Sequence, residues 1–275
     1  MRRTVADAIR AAAIQLAPAS DTARLDAELL MAHALGVTRS DMLLRSMRDP
    51  APENFAALVE RRAAHEPVAY ITGSAEFFGL TLAVTPATLI PRGDSETLVE
   101  AALESIGETG RAVDLGTGTG ALLLALLANR MDWQGMGIDA SAGALAVAES
   151  NAGRLELARR STWHVRDWHA PGWADGLGTF DLILCNPPYV EVDAALDPQV
   201  RDFEPATALF AGPEGLDDYR VLIPQLRALM NPRALAILEI GANQADAVSA
   251  IADDAGFRAA LRRDLAGRPR ALILR

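Results

Sequence analysis

Apolar residues recur at helical spacing through the first 66 positions. Val5, Ala8, Ile9, Ala12 and Leu16 mark one helix, which Pro18 closes. Ser20 or Asp21 can cap a second, carrying Leu25, Leu29 and Ala32 and stopping at Gly36. A short helix around 41–44 and another with Phe55, Leu58, Val59 and Arg62, closed by Pro67, complete a small bundle. The texture then changes. Residues 77–84 and 88–90 are strand-like, with Gly79 as a turn, and predict a hairpin.

From 92 onward, strand-like runs alternate with helices. The strands are expected at 112–115, 135–139, 162–166, 180–185 and 234–240, with a closing pair near 257–263 and 271–274. Helical stretches fall around 94–106, 119–130, 141–159, 216–230 and 242–255. This alternation predicts a parallel sheet covered on both faces. The expected organisation is a helical domain over 1–66, open to a docking or a packing role, a β-hairpin linker over 67–91 and an α/β domain over 92–275.

Composition narrows the function classes. Half of the 275 residues are hydrophobic, enough for a sizeable core, and the apolar runs break well before membrane-spanning length. The start, Met1-Arg2-Arg3-Thr4-Val5, lacks an apolar signal core, so a soluble cytoplasmic protein without a membrane partner is expected. Cys185 is the only cysteine, which excludes an internal disulfide and a Cys-clustered metal site. His33, His65, His164 and His169 have no metal-ligand spacing and read as structural; no metal is expected. All 26 basic residues are arginine, which removes Schiff-base lysines and the Walker-type phosphate lysine. The net charge of −10 argues against direct nucleic-acid binding, which needs a basic surface. The late arginines 258, 262, 263, 268, 270 and 275 read as a solvated edge.

The chemistry-bearing positions sit where strands end. Asn186-Pro187-Pro188-Tyr189 follows the apolar run 180–185. The Asn186 side-chain carbonyl is one hydrogen-bond acceptor. The two prolines preset the Pro187 carbonyl as a second, and Tyr189 offers a flat apolar face. Such a turn suits a planar NH2 group, either an amide or an exocyclic amine; a Pro-rich connection is the blander reading. Asp114-Leu115-Gly116-Thr117-Gly118-Thr119-Gly120 joins a strand to a helix, and its glycines let the backbone approach a ligand. The same segment could be a tight turn with no ligand. Asp139 ends the next strand, placed to accept from both ribose hydroxyls of an adenosine or to cap the following helix. Asp167-Trp168 could meet an adenine amine and ring face.

A Gly-rich turn, then an acid, then Asn-Pro-Pro-Tyr is the layout of class I S-adenosylmethionine (SAM)-dependent methyltransferases acting on planar NH2 nitrogen. The resemblance extends to Arg61-Arg62-Ala63-Ala64-His65-Glu66-Pro67 through Gly73, to Glu76–Leu80 and to Leu89-Ile90-Pro91-Arg92-Gly93-Asp94-Ser95-Glu96. Together with Phe203–Leu209 and Gly215–Arg220, these segments resemble the HemK/PrmC family of release factor N5-glutamine methyltransferases. The resemblance implies an α/β class I methyltransferase fold, a Rossmann-like seven-stranded sheet, behind a small N-terminal helical bundle. It implies SAM as methyl donor, with S-adenosylhomocysteine as product, and class 1 peptide chain release factors as protein substrate. It would set Asp114 and Gly116 through Gly120 against the methionine and ribose, with Asp139 on the ribose. Asp167 and Trp168 would lie by the adenine, and Asn186, with Pro187, Pro188 and Tyr189, would hold the acceptor while Asn186 also borders the donor. Gly93 departs from the family's usual proline, which loosens that turn.

A glutamine amide nitrogen is a poor nucleophile, and no strong base is offered nearby. Catalysis is then expected to rest on positioning, with Asn186 and Pro187 aiming the nitrogen and stabilising the charge that grows on it. A ribosomal-protein glutamine or a flipped adenine would suit the same turn. An NAD-dependent dehydrogenase or a non-catalytic SAM-binding module would explain the Gly loop and Asp139 but not the turn.

Overall fold

The computed structural model describes residues 3–275. Met1 and Arg2, which open the expected helical domain and the start read as leaderless, lie outside the described residues. The chain divides into two compact units. One runs to Ser74 and includes Leu196–Phe203; the other comprises Ala75–Ala195 and Glu204–Arg275.

In the first unit, α1 (Val5–Leu16) is capped by the Thr4 hydroxyl, which accepts from the Asp7 amide. It buries Val5, Ala8, Ile9, Ala12 and Leu16, the face predicted from their spacing. The second helix, α2 (Ala23–Leu35), ends at Gly36 as expected, but its buried face differs. Ala32 is buried as expected, but Leu25 and Leu29 are exposed, and Ala27, Leu30 and Met31 are buried with Asp26 and Glu28. The acids go inside because partners meet them there. Asp26 accepts from the Ser20 and Thr22 hydroxyls and pairs with buried Arg62 at 2.7 Å, and Glu28 pairs with Arg24 and Arg39. A buried charge is tolerated when paired and hydrogen-bonded.

Arg39–Ser46 forms a short helical turn that widens into π-type geometry. The next helix, α3 (Phe55–Ala63), buries Phe55, Val59 and Arg62. A further helix, α4 (Val68–Thr72), occupies positions assigned to the linker, so the helical unit continues to Ser74 rather than ending at 66. Pro67 starts it instead of merely closing α3, because a fixed φ and a missing N–H suit a helix N-terminus.

The second unit opens with the hairpin β1 (Ser74–Phe77) and β2 (Leu80–Ala83). Residues 88–90 are not a strand. The rest alternates in chain order: α5 (Glu96–Ser105), β3 (Thr109–Leu115), α6 (Ala121–Asn129), β4 (Asp132–Asp139), α7 (Ala142–Arg154), β5 (Ser161–Val165) and β6 (Phe180–Cys185). There follow α8 (Asp217–Leu226), β7 (Met230–Glu239), α9 (Ala245–Asp254), β8 (Ala259–Arg263) and β9 (Pro269–Leu274).

Seven strands form one sheet in the order β5-β4-β3-β6-β7-β9-β8. Strands β3 to β7 are parallel; β9 runs antiparallel between β7 and β8. The sheet is therefore mixed rather than wholly parallel. Only a tight turn at Asp264–Arg268 joins β8 to β9, and so short a connection forces antiparallel pairing. Leu182 and Leu184 of β6 pack towards α5 and α6, while Ile183 and Cys185 pack towards α8 and α9. Strand order reverses between β3 and β6, and in open α/β sheets ligands bind beyond the carboxyl ends of the strands at that switch point. Among the described residues no helix is long and apolar enough to cross a membrane.

Candidate active site

A cavity of about 630 Å³ lies at the carboxyl edge of the sheet, over the switch point. Leu115 of β3 is in register with Cys185 of β6 and with Ile138 of β4. The segments that follow these strands are therefore neighbours, although they are far apart in sequence. Asp114, Gly116, Thr117, Gly118, Thr119, Asp139, Asp167, Trp168, Asn186 and Pro188 all line the cavity. Gly120, Pro187 and Tyr189 do not.

The Gly-rich loop is held from below and from one side. The amides of Gly116 and Thr117 both donate to the Ile138 carbonyl, at 2.8 and 2.9 Å. Gly116 adopts φ +73°. A Cβ there would stand 3.2 Å from Cη2 of Trp168 and 3.8 Å from the Asn186 backbone oxygen, so glycine lets the three segments converge. Gly120 sits behind, capping α6, where a Cβ would meet Leu124, Trp163 and Ala148.

Asp114 is fully buried. Its Oδ2 accepts from the Thr117 hydroxyl at 2.6 Å, while Oδ1 has no hydrogen-bond partner among the described residues. Burial pushes its pKa up to about 7; the Thr117 hydrogen bond opposes this and the nearby Asp139 charge adds to it. An acceptor buried without a partner beside a cavity is the group that a bound cation would satisfy.

Asp139 is preorganised. Oδ2 accepts from the Gly118 amide and Oδ1 from the Ser141 amide, each at 2.9 Å. The α7 N-cap is Ser141 itself, so Asp139 is not spent on capping. Burial raises its pKa, with the two amides acting the other way.

Trp168 is fixed by Asp218, whose Oδ1 accepts the indole N–H at 2.8 Å. Asp167 accepts from the His169 amide, and the His169 ring spans Asp167 at 3.1 Å and Asp218 at 3.6 Å. His169 also lines the cavity.

In the acceptor turn, Asn186 is half-buried and lines the cavity, and its side chain makes no hydrogen bond among the described residues. Both its polar groups are free for a ligand. Tyr189 instead packs against the core beneath the sheet edge, and its hydroxyl donates to Glu239 Oε1 at 3.1 Å. The residues that do line the cavity include Pro188 and Phe210.

Sequence reasoning assigned no role to Asp218, Glu239, Glu204 or Asn151. Glu204 pairs with Arg92, which lines the cavity, and accepts from the Ile90 amide. The neighbouring signature residues are likewise ties: Asp94 pairs with Arg270, and Glu96 accepts from the Phe78 amide. Buried Asn151 joins both backbone groups of Ala83 to the Thr119 carbonyl. One signal could have exposed Glu239: it is an acid closing the otherwise apolar run 234–238. Gly93 opens a 3₁₀ turn with free space around it and leaves these ties intact. Among the described residues no group of His, Cys, Asp and Glu has a metal-binding arrangement.

Comparison with known proteins places this geometry. A family model described as the PrmC N-terminal domain matches residues 7–73, and one described as the methyltransferase small domain matches 93–203. A release factor glutamine methyltransferase of Rhodospirillum rubrum is 44% identical over 92% of this chain and 78% of its own. One of Cereibacter sphaeroides is 42% identical over 98% of both. Among solved structures, the hMettl16 catalytic domain bound to an MAT2A 3′UTR hairpin has a TM-score of 0.56 at 17% identity, covering 82% of this chain and 83% of that one. A Pyrococcus furiosus methyltransferase has a TM-score of 0.51 at 16% identity, over 80% and 97%. These two share the fold, which is that of SAM-dependent methyltransferases. With relatives above 40% identity over more than nine-tenths of this chain and more than three-quarters of their own length, this chain belongs to the release factor glutamine methyltransferase family.

Proposed function

We propose that the chain transfers the methyl group of SAM to the N5 amide nitrogen of the glutamine in the Gly-Gly-Gln motif of class 1 peptide chain release factors. The reading is supported above all by Asn186, whose unpartnered side chain shares one cavity with the Gly116–Thr119 loop and Asp139. As a modifier of translation factors, the protein would act in the cytoplasm.

The residues present fit the donor. Asp139 would accept from the ribose hydroxyls, Trp168 would flank the adenine, and Asp114 Oδ1 would meet the ammonium of the methionine part. When bound, SAM supplies a methyl group on a cationic sulfur. Asn186 Oδ1 and the Pro187 carbonyl would each accept one amide N–H of the glutamine. This orients the nitrogen and stabilises the positive charge that develops on it. The proton then leaves to water.

The decisive experiment incubates the protein with SAM and a class 1 release factor and maps the product by peptide mass spectrometry. One added methyl on the glutamine of the Gly-Gly-Gln loop is expected. Methylation of a ribosomal protein or of adenine, with that glutamine unmodified, would overturn the reading.

The Asp114 assignment carries a pH dependence. In the free protein its carboxyl holds its proton up to about pH 7. An ammonium beside it favours the ionised form, so binding below pH 7 must release that proton. Affinity for SAM should therefore rise with pH and level off above about 7, by up to about tenfold per unit on the acid side. Calorimetry between about pH 5.5 and 7.5, in buffers of different ionisation enthalpy, measures this directly, and Asp114→Asn should remove the dependence. A flat profile in the unaltered protein counts against the assignment.

A further inference from the structure

Glu239 closes β7 beside the acceptor turn: Leu238 is in register with Cys185, which places Glu239 next to Asn186 at the sheet edge. Its side chain is 1% exposed. Oε1 receives the Tyr189 hydroxyl, and the Tyr219 hydroxyl holds the Glu239 backbone carbonyl at 2.7 Å. Among the described residues Oε2 has no hydrogen-bond partner, and Ser95 approaches the carboxylate without an ordinary hydrogen bond. The other end of Tyr189 is gripped as well. Its carbonyl accepts from Gln244 Nε2 at 3.0 Å, and that oxygen lies 2.2 Å from where a Cβ on Gly215 would stand. Only glycine fits at 215, where φ is +66°.

A buried, half-satisfied carboxylate is a poor way to stabilise a core. Replacing a buried polar pair together by apolar residues of similar volume is often neutral or stabilising. What Glu239 does provide is direction: it fixes the Tyr189 ring, and Tyr189 is joined through two stiff prolines to Asn186. Resting on the function proposed above, we propose that Glu239 is a positioning residue, which acts through the Tyr189 hydroxyl to hold the Asn186 and Pro187 acceptors in their methyl-transfer geometry.

Steady-state kinetics of the full chain with SAM and a release factor test this. Tyr189→Phe and Glu239→Leu should each lower kcat about tenfold, the effect of one hydrogen bond to a charged group. The KM for SAM should stay within about twofold, because the donor loop is untouched. The double variant should be no slower than either single one, and, because it removes both partners, it should unfold no earlier than either single variant, each of which strands one buried polar group. A merely structural role predicts that kcat is retained in the folded fraction of the single variants. Unchanged kcat in Tyr189→Phe, or additive losses in the double variant, would overturn the proposal. If Glu239→Leu does not fold, Glu239→Gln keeps an acceptor for the hydroxyl and should restore most of the rate relative to Tyr189→Phe. Failure of the proposed function shows separately, as an unaltered protein that leaves the release factor unmethylated. In that case crystal structures of the unaltered and Tyr189→Phe proteins with S-adenosylhomocysteine answer the same question: a displaced Asn186 is expected, and superimposable turns would overturn it.

Discussion

Asn186→Ala is expected to keep SAM binding and to lower methyl transfer by about a hundred- to a thousandfold, the usual loss when one preorganised polar group facing developing charge is removed. The argument begins with the nucleophile. An amide nitrogen gains reactivity only as its lone pair leaves conjugation, and that step places positive charge on its N–H groups. Asn186 Oδ1 is the side-chain acceptor of the turn that borders the cavity, and no other residue described here competes for it. Alanine leaves the backbone path 185–189 and the donor loop in place, so affinity for SAM should change little. Single-turnover methylation at saturating SAM, alongside calorimetry, separates the two effects. A variant with near-normal turnover would show that Asn186 is not the acceptor-holding group.

Asp139→Ala should produce the complementary loss, weakening SAM about a hundredfold. Its two oxygens are already oriented by the Gly118 and Ser141 amides. Ribose hydroxyls therefore meet a carboxylate that loses little freedom on binding. A hydrogen bond to a charged group contributes about 1.5–3 kcal/mol, so even partial loss of two gives about two orders of magnitude. The substitution also strands the Gly118 amide, loosening the loop that faces the methionine part. Calorimetry should show the weakened binding, while kcat at saturating SAM falls far less than in Asn186→Ala. Loss of less than about fivefold in affinity would remove Asp139 from the ribose site.

Much of the architecture was legible in the chain. The alternation after 92, the strand ends and the face of α1 follow from period and punctuation, which are local properties. The misplaced face of α2 shows where local reading stops. Leu25 and Leu29 have the right spacing, but the inward face is chosen by Arg62, which makes a buried partner for Asp26 from 36 positions away. The short helix α4 was hidden for a similar reason, since five residues carry too little period to distinguish helix from linker. The mixed sheet turns on β9 pairing with two strands at once, which no single strand's pattern encodes.

The candidate site divides along the same line. By itself, the sequence determined which groups reach the carboxyl edge: the Gly-rich turn, Asp139, Asp167-Trp168 and Asn186–Tyr189 each follow a strand, and residue chemistry fixes what each can donate or accept. Only the tertiary structure decided which of them meet and which way they turn. The switch between β3 and β6 brings Gly116, Trp168 and Asn186 together, while Asp218 and Glu239 orient Trp168 and Tyr189 from distant segments. Tyr189 was therefore legible as part of the turn but not as its anchor. Hydrogen bonding across long sequence separations depends on packing, and packing is settled only when the whole sheet closes.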